Sequence, residues 1–314
     1  MVAADPRASL WRFAAGHETL KVLVTGATGQ LARSLSQTAS SYADLDVRCV
    51  GRPELALETP GSAASVVATV RPDLVINAAA FTAVDQAEAE ADHAWQINAV
   101  GAGEVARAAH AIGAPLIQLS TDYVFDGQMR RPYREDDPTG PINEYGRSKL
   151  GGEAAVRAAN PAHLIVRTSW VFSPFGRNFV SNMLGLAEGR DEIRVISDQQ
   201  GSPTSALDLA DALLALARRI GSGDSRSLGR TFHLSGSGSC SWADFATEIF
   251  AASKRRGGPT ANVVPIPSAE YPTPAARPPY SILDNRAFIA EFGFGLPEWR
   301  ESVGLVVERI FARR

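Results

Sequence analysis

Five short, almost wholly apolar runs recur through the first half of the chain, separated by polar turns and by segments whose apolar residues return every three or four positions. Lys21-Val22-Leu23-Val24-Thr25 is β-branched and ends at glycines, and the segment from Leu31 to about Ala39 has helical spacing, so the pair reads as strand, tight turn, helix. Asp46 to Val50 predicts a second strand, Gly61 to Val70 a helix and Asp73 to Asn77 a third strand. "HAWQINAVGAGEVARAAHAI" (93 to 112) predicts one long helix, "APLIQLS" a fourth strand and "HLIVRTSW" a fifth, with a helix carrying Tyr145 between the last two. Helices alternating with strands that are apolar on both faces call for a parallel sheet covered on both sides, a doubly wound, Rossmann-like α/β architecture.

The rhythm weakens after Trp170. Residues 171 to 205 and 257 to 283 are rich in Pro, Gly, Ser and Asn, and the prolines of "PIPSAEYPTPAARPPYS" exclude a regular helix or a central strand there. Between them "SALDLADALLALARRI" predicts an amphipathic helix over about 205–220, and "RTFHLSG" a short strand able to return to the main sheet. The expected organisation is a flexible extension over 1–20, a dinucleotide-binding domain over 21–168 that includes the returning helix, and a smaller C-terminal domain over 169–314.

A chain of 314 residues, 45% hydrophobic, is long enough for one sizeable core and a satellite. Its formal charge of -3 offers no basic surplus for a phosphate backbone, which argues against nucleic acid as a partner. Cys49 and Cys240 lie far apart with no second thiol or histidine at metal-ligand spacing, a thrift that suits a reducing cytoplasm. No run reaches the length of a membrane span, and the first twenty residues contain no apolar stretch of signal-peptide length, so a cytoplasmic protein without a membrane partner is expected.

"VTGATGQLA" (24 to 32) stands where a doubly wound sheet places its phosphate loop, after the first strand and at the start of the first helix. There Gly26 and Gly29 permit a tight turn and close approach of a pyrophosphate, which Thr28, Gln30 and Leu31 at the helix N-terminus would meet with free N–H groups. Past the second strand, Arg52 suits the 2′-phosphate of NADPH, with Glu54 two residues on as an acid for the 2′-hydroxyl of NADH. Past the third strand, "NAAAFTAVD" gives small Ala79 and Ala80, over which a flat cofactor can lie, and the Thr82 hydroxyl.

In "NEYGRSKL" (143 to 150), Tyr145 and Lys149 are four positions apart on a helix and share one face. An ammonium so placed is expected to draw the phenol below its usual pKa of ~10 and let it exchange a proton near neutrality. Thr121, at the carboxyl end of the fourth strand in "QLSTDYVFDG", has a hydroxyl that can bond the same substrate oxygen.

"TGATGQ", "STDYVF" and "YGRSK" together resemble the extended short-chain dehydrogenase/reductase family. "NAAAFTAVDQAE", "STDYVFDG", "YGRSKLGGE", "RTSWVF", "DQQGSPT" and "YPTPAARPPYS" narrow the resemblance to the dTDP-4-dehydrorhamnose reductase family over roughly residues 21 to 310. The resemblance implies reduction of the 4-keto group of dTDP-6-deoxy-L-lyxo-4-hexulose to dTDP-L-rhamnose with NADPH, NADH being the alternative. It implies that Tyr145 protonates the emerging alkoxide, that Lys149 holds the nicotinamide ribose, and that Thr121 polarises the carbonyl. Val84, Asp122, Tyr123 and Trp170 would face the sugar or its diphosphate. Some members hold a divalent ion between subunits; Ser34 and Arg300 stand at two of the aligned ligand positions, so no metal is expected, and the chain is read as a monomer or homodimer. Two other readings keep the same apparatus: a ketoreductase or epimerase for another nucleotide sugar, and a non-catalytic NADP-binding regulator.

Overall fold

The computed structural model describes residues 19–313, so the expected extension over 1–20 lies almost wholly outside the described residues. The strand opens one residue earlier than expected: β1 is Leu20–Thr25, with Leu20 paired to Leu45. It is followed by α1 (Gln30–Thr38), β2 (Leu45–Val50), α2 (Ser62–Val70), β3 (Leu74–Asn77), α3 (Val84–Ala89), α4 (Ala91–Trp95), α5 (Ala102–Ala111), β4 (Leu116–Thr121), α6 (Glu144–Ala159) and β5 (His163–Thr168). The second half adds β6 (Val171–Phe172), α7 (Phe179–Ala187), β7 (Glu192–Ile196), β8 (Gln200–Gly201), β9 (Thr204–Ser205), α8 (Ala206–Gly221) and β10 (Arg230–His233). It closes with β11 (Cys240–Ser241), α9 (Trp242–Lys254), β12 (Asn262–Ile266), α10 (Arg286–Phe292) and α11 (Trp299–Phe311).

Six strands form one sheet in the order β10-β5-β4-β3-β1-β2, every neighbouring pair parallel. Strand alternation sends successive residues to opposite faces. Val22 and Val24 enter a core shared with Leu35 of α1, Leu213 of α8 and Phe288 of α10, while Leu23 enters another shared with Val67 of α2, Val105 of α5 and Val156 of α6. Burying each of these side chains stabilises the fold by roughly 1.5–3 kcal/mol relative to leaving it in water. The returning helix and strand thus join the first core, so residues from the C-terminal half complete the dinucleotide fold.

A separate core gathers Phe172, Val180 and Leu184, Val195, Phe245 and Ile249, and Trp299 and Val303, packing α7, β7, α9 and α11 together. Part of it lies where irregular chain was expected. Asn178 caps α7 in a capping box with Ser181, and β7 pairs in parallel with β12. Pro265 is tolerated in β12 because the sheet there has only two strands and a missing donor can face outward.

The helix expected over 93–112 is interrupted. Residues Gln96–Gly101 form a π-turn between α4 and α5. Inside it the Asn98 side chain accepts from the Phe81 N–H (2.8 Å) and donates to the Phe81 carbonyl and to Ser148 Oγ. A side chain bonded to a neighbouring loop holds the widened turn open, and such turns recur at functional sites.

Candidate active site

A cleft of about 650 Å³ crosses the carboxyl edge of the sheet, with walls drawn from the ends of β1 to β5. All the positions expected to hold the cofactor line it: Gly26, Thr28, Gly29, Gln30, Leu31, Arg52, Ala79, Ala80, Thr82, Tyr145 and Lys149. Gly26 has φ +87°, and a Cβ there would come within 3.0 Å of Ala79 Cα, so the loop needs glycine for both conformation and space. Gly29 precedes α1 in extended backbone, leaving the N–H groups of the first turn to a ligand. A pyrophosphate fits this cradle. Arg52 lies on the exposed rim, its Nη1 3.4 Å from Glu58 Oε1. Glu54 instead pairs with Arg48, and the acid that lines the cleft on this wall is Glu58.

Asn143 places α6. Its side chain accepts from the Gly146 N–H at 2.7 Å as an N-cap and donates to the Ala276 carbonyl, fixing the helix start against the proline-rich segment. Tyr145 and Lys149 then project from one face into the cleft. Gly146 and Gly152 let the helix come close, since a Cβ would lie 2.2 Å from the Tyr123 carbonyl oxygen at the first and 2.1 Å from that of Asn98 at the second.

The ammonium does not acidify the phenol. Lys149 Nζ donates to the Leu119 carbonyl at 2.8 Å, and burial lowers its pKa to about 8, against an upward pull from Glu153. Burial raises the Tyr145 pKa to about 12; the Thr121 hydroxyl, within hydrogen-bonding reach, draws it down by less, and Asp122 adds to the rise. Taking both groups out of water disfavours both charged forms, and the lysine's hydrogen bond goes to the strand. Tyr145 is therefore a neutral phenol near pH 7, a form able to give up a proton.

The residues expected at the sugar lie elsewhere than on this wall. None of Val84, Thr121, Asp122, Tyr123 and Trp170 lines the cleft itself. Thr121 lies beside Tyr145 and donates to Asp122 Oδ1 at 3.0 Å. Asp122 is 2% exposed, behind Thr121; burial raises its carboxyl to about 6, against hydrogen bonds from Ser281 and Thr121, and Oδ2 has no partner of good geometry. The Tyr123 ring stands edge-on to Tyr145 at 5.7 Å between centroids. Val84 opens α3 beside Asp85, which holds Arg277. Trp170, at φ 45°, stacks on Trp242 at 3.5 Å with Gly201 against its ring, inside the second lobe.

Several contributors escaped the sequence reading. Thr168, Gly176 and Arg177 line the cleft, and Asn98 ties the loop after β3 to α6. An asparagine in the middle of a helical pattern, where its propensity is poor, is the one local signal for Asn98. A buried polar chain, in which Thr25 donates to Asn77, Asn77 to Gln118 and Gln118 to the Leu119 carbonyl, braces the edge on which Lys149 rests. Among the described residues no group of three His, Cys, Asp or Glu is placed to hold a metal ion; Ser34 is buried and bonds the Gln30 carbonyl, and Arg300 pairs with Glu298.

The chain has relatives over nearly its whole length. Residues 20–311 match the family described as RmlD substrate binding domain. The dTDP-4-dehydrorhamnose reductase of Sinorhizobium fredii is 46% identical over 92% of this chain and 97% of that protein, and the one from Burkholderia thailandensis is 40% identical over 94% and 100%. The structure of dTDP-4-dehydrorhamnose reductase from Bacillus anthracis in complex with NADP superposes with a TM-score of 0.85 at 38% identity, over 94% of this chain and 100% of that one. With its six-stranded parallel sheet, its glycine cradle and its tyrosine and lysine on one helix face, this chain belongs to the dTDP-4-dehydrorhamnose reductase family.

Proposed function

We propose that this chain uses NADPH, with NADH as the weaker alternative, to reduce the 4-keto group of dTDP-6-deoxy-L-lyxo-4-hexulose to dTDP-L-rhamnose. The observation that carries the reading is that one cleft holds both the dinucleotide cradle at Gly26 and the Tyr145–Lys149 pair. The bound nicotinamide supplies the hydride for C4 of the sugar. Gly26 to Leu31 would hold the pyrophosphate, Arg52 the 2′-phosphate, and Lys149 the nicotinamide ribose, its ammonium oriented by Leu119. Tyr145 delivers its proton to the emerging alkoxide, a stronger base than a phenolate, so a phenol held neutral by burial suits reduction. Thr121, beside that hydroxyl, bonds the same oxygen and stabilises its developing charge. The second lobe, with Trp170 and the segment around Arg277, binds the rest of the sugar nucleotide, and Val84, Asp122 and Tyr123 shape its near side. The reaction belongs in the cytoplasm, where Cys49 and Cys240 stay as free thiols.

The test offers purified protein the 4-keto sugar nucleotide with NADPH or NADH and identifies the product by NMR. Oxidation of NADPH with formation of the L-rhamno product is expected. Another sugar configuration would move the assignment to a different ketoreductase, and NADPH binding without turnover of any dTDP-4-keto sugar would make the chain a regulator.

A further inference from the structure

One buried carboxylate behind the cleft has more partners than holding a helix needs. Glu153 lies one turn beyond Lys149 on α6 and is 1% exposed. Arg167 of β5 grips both its oxygens, Nε to Oε1 at 2.7 Å and Nη2 to Oε2 at 2.8 Å. Ser120, on the cleft wall, donates to Oε1 at 2.6 Å, and Arg157 reaches Oε2 at 2.9 Å from the surface. Arg167 is itself held beside His233 Nε2 and over the Phe125 ring. Burial works against the charged carboxylate, but Arg167 and Ser120 outweigh it and hold its pKa below the usual range.

Lys149 is buried, with the Leu119 carbonyl as its hydrogen-bond acceptor. Its own helix presents Tyr145 and Glu153; β4 and the turn after it present Ser120 and Asp122; β5 presents Thr168 and, through Glu153, Arg167. The π-turn contributes neutral Asn98, α5 carries Arg107 farther along beside Gly103, and α3 meets the helix start through Glu88. Arg52, Glu58 and Arg177 line the same cleft. Among these groups, Glu153, four positions on along the same helix and buried like Lys149, is the carboxylate whose charge supports the ammonium.

We propose that Glu153 is a positioning residue for the reduction: clamped by Arg167 and Ser120, it keeps Lys149 charged at the nicotinamide end of the cleft. The inference rests on the proposed function only in taking this cleft as the dinucleotide site. Without the carboxylate, Lys149 shares a buried region with Arg167 and no counter-ion, and it sheds its proton at lower pH. Arg157 acts in the opposite sense, because it draws on the same carboxylate from outside.

The experiment follows NADPH binding by nicotinamide fluorescence from pH 6 to 9.5 for wild type, Glu153→Gln, Glu153→Asp and Arg157→Gln, with thermal melts alongside. Wild-type binding is expected to weaken as Lys149 deprotonates. In Glu153→Gln that limb moves down by about one pH unit, and Glu153→Asp restores most of it. In Arg157→Gln, at low ionic strength, it moves up by a few tenths of a unit. A folded Glu153→Gln with a lower melting temperature and an unmoved limb would show a purely structural residue and overturn the proposal. If Glu153→Gln does not fold, Arg157→Gln decides, and an unmoved limb overturns it equally. Binding is read without the sugar nucleotide, so failure of the proposed reduction leaves this result legible.

Discussion

At the scale of single residues, the chemistry turns on which protons the burial of the cleft retains. Tyr145 keeps its proton because its phenol is out of water, and it stands within hydrogen-bonding reach of Thr121. Replacing Tyr145 by Phe is expected to lower kcat by on the order of a hundredfold or more, as loss of a general acid does, while NADPH affinity stays within a few-fold. Steady-state rates and fluorescence titration check this, and an unchanged rate would remove Tyr145 from the mechanism. Asp122 leads to a stability prediction. Its folded pKa of about 6 lies above the 3.8 of an exposed aspartate, so its contribution is fully present below pH 3.8 and lost as pH rises through 6. Asp122→Asn does not ionise, and it should be more stable than wild type at pH 8 by about 1–3 kcal/mol, the gain falling to roughly half at pH 5 and vanishing only below about pH 3.8. Parallel stability curves from urea unfolding at the two pH values would contradict this.

At the scale of elements, α6, which brings Tyr145 and Lys149 to the cleft, lies close to its neighbours. The Asn98 carbonyl in the π-turn sits where a side chain at Gly152 would be, and the Asn98 side chain bonds Ser148 one residue before the lysine. Gly152→Ala forces helix and π-turn apart. The expected cost is roughly 1–3 kcal/mol of stability, with weakened NADPH binding because Lys149 moves with the helix. Urea midpoints and titrations measure both, and wild-type values for both would show that the close packing is not needed. The helix itself was legible in the four-residue Tyr-to-Lys spacing, which announces a shared face, whereas its Asn143 cap emerges from the fold. The π-turn was not, because a side chain reaching Phe81, seventeen residues away, opens it, and no local period records that contact.

For the whole molecule, the proline-rich segment near residue 277 joins the two lobes. Arg277 forms a two-point ion pair with Asp85 at the start of α3, Ala276 accepts from Asn143, and Ser281 donates its N–H to the Gln200 carbonyl. Arg277→Ala should cost about 1 kcal/mol or less of global stability, since Asp85 is partly solvated, yet speed protease cleavage within 271–283 and raise the KM for the sugar nucleotide. Unaltered cleavage kinetics would mean the prolines alone hold the segment. The sequence by itself determined the parallel sheet, the glycine cradle and the tyrosine–lysine face. Each follows from local causes: apolar periodicity, backbone freedom at Gly26, and the pitch of a helix. Only the tertiary structure decided the rest. The Lys149 ammonium goes to Leu119 rather than the phenol, Glu153 is clamped behind it, Asp122 is covered, and Trp170 lies on Trp242. These depend on which distant groups displace water from a side chain, and desolvation is a property of the packed neighbourhood that no stretch of chain carries alone.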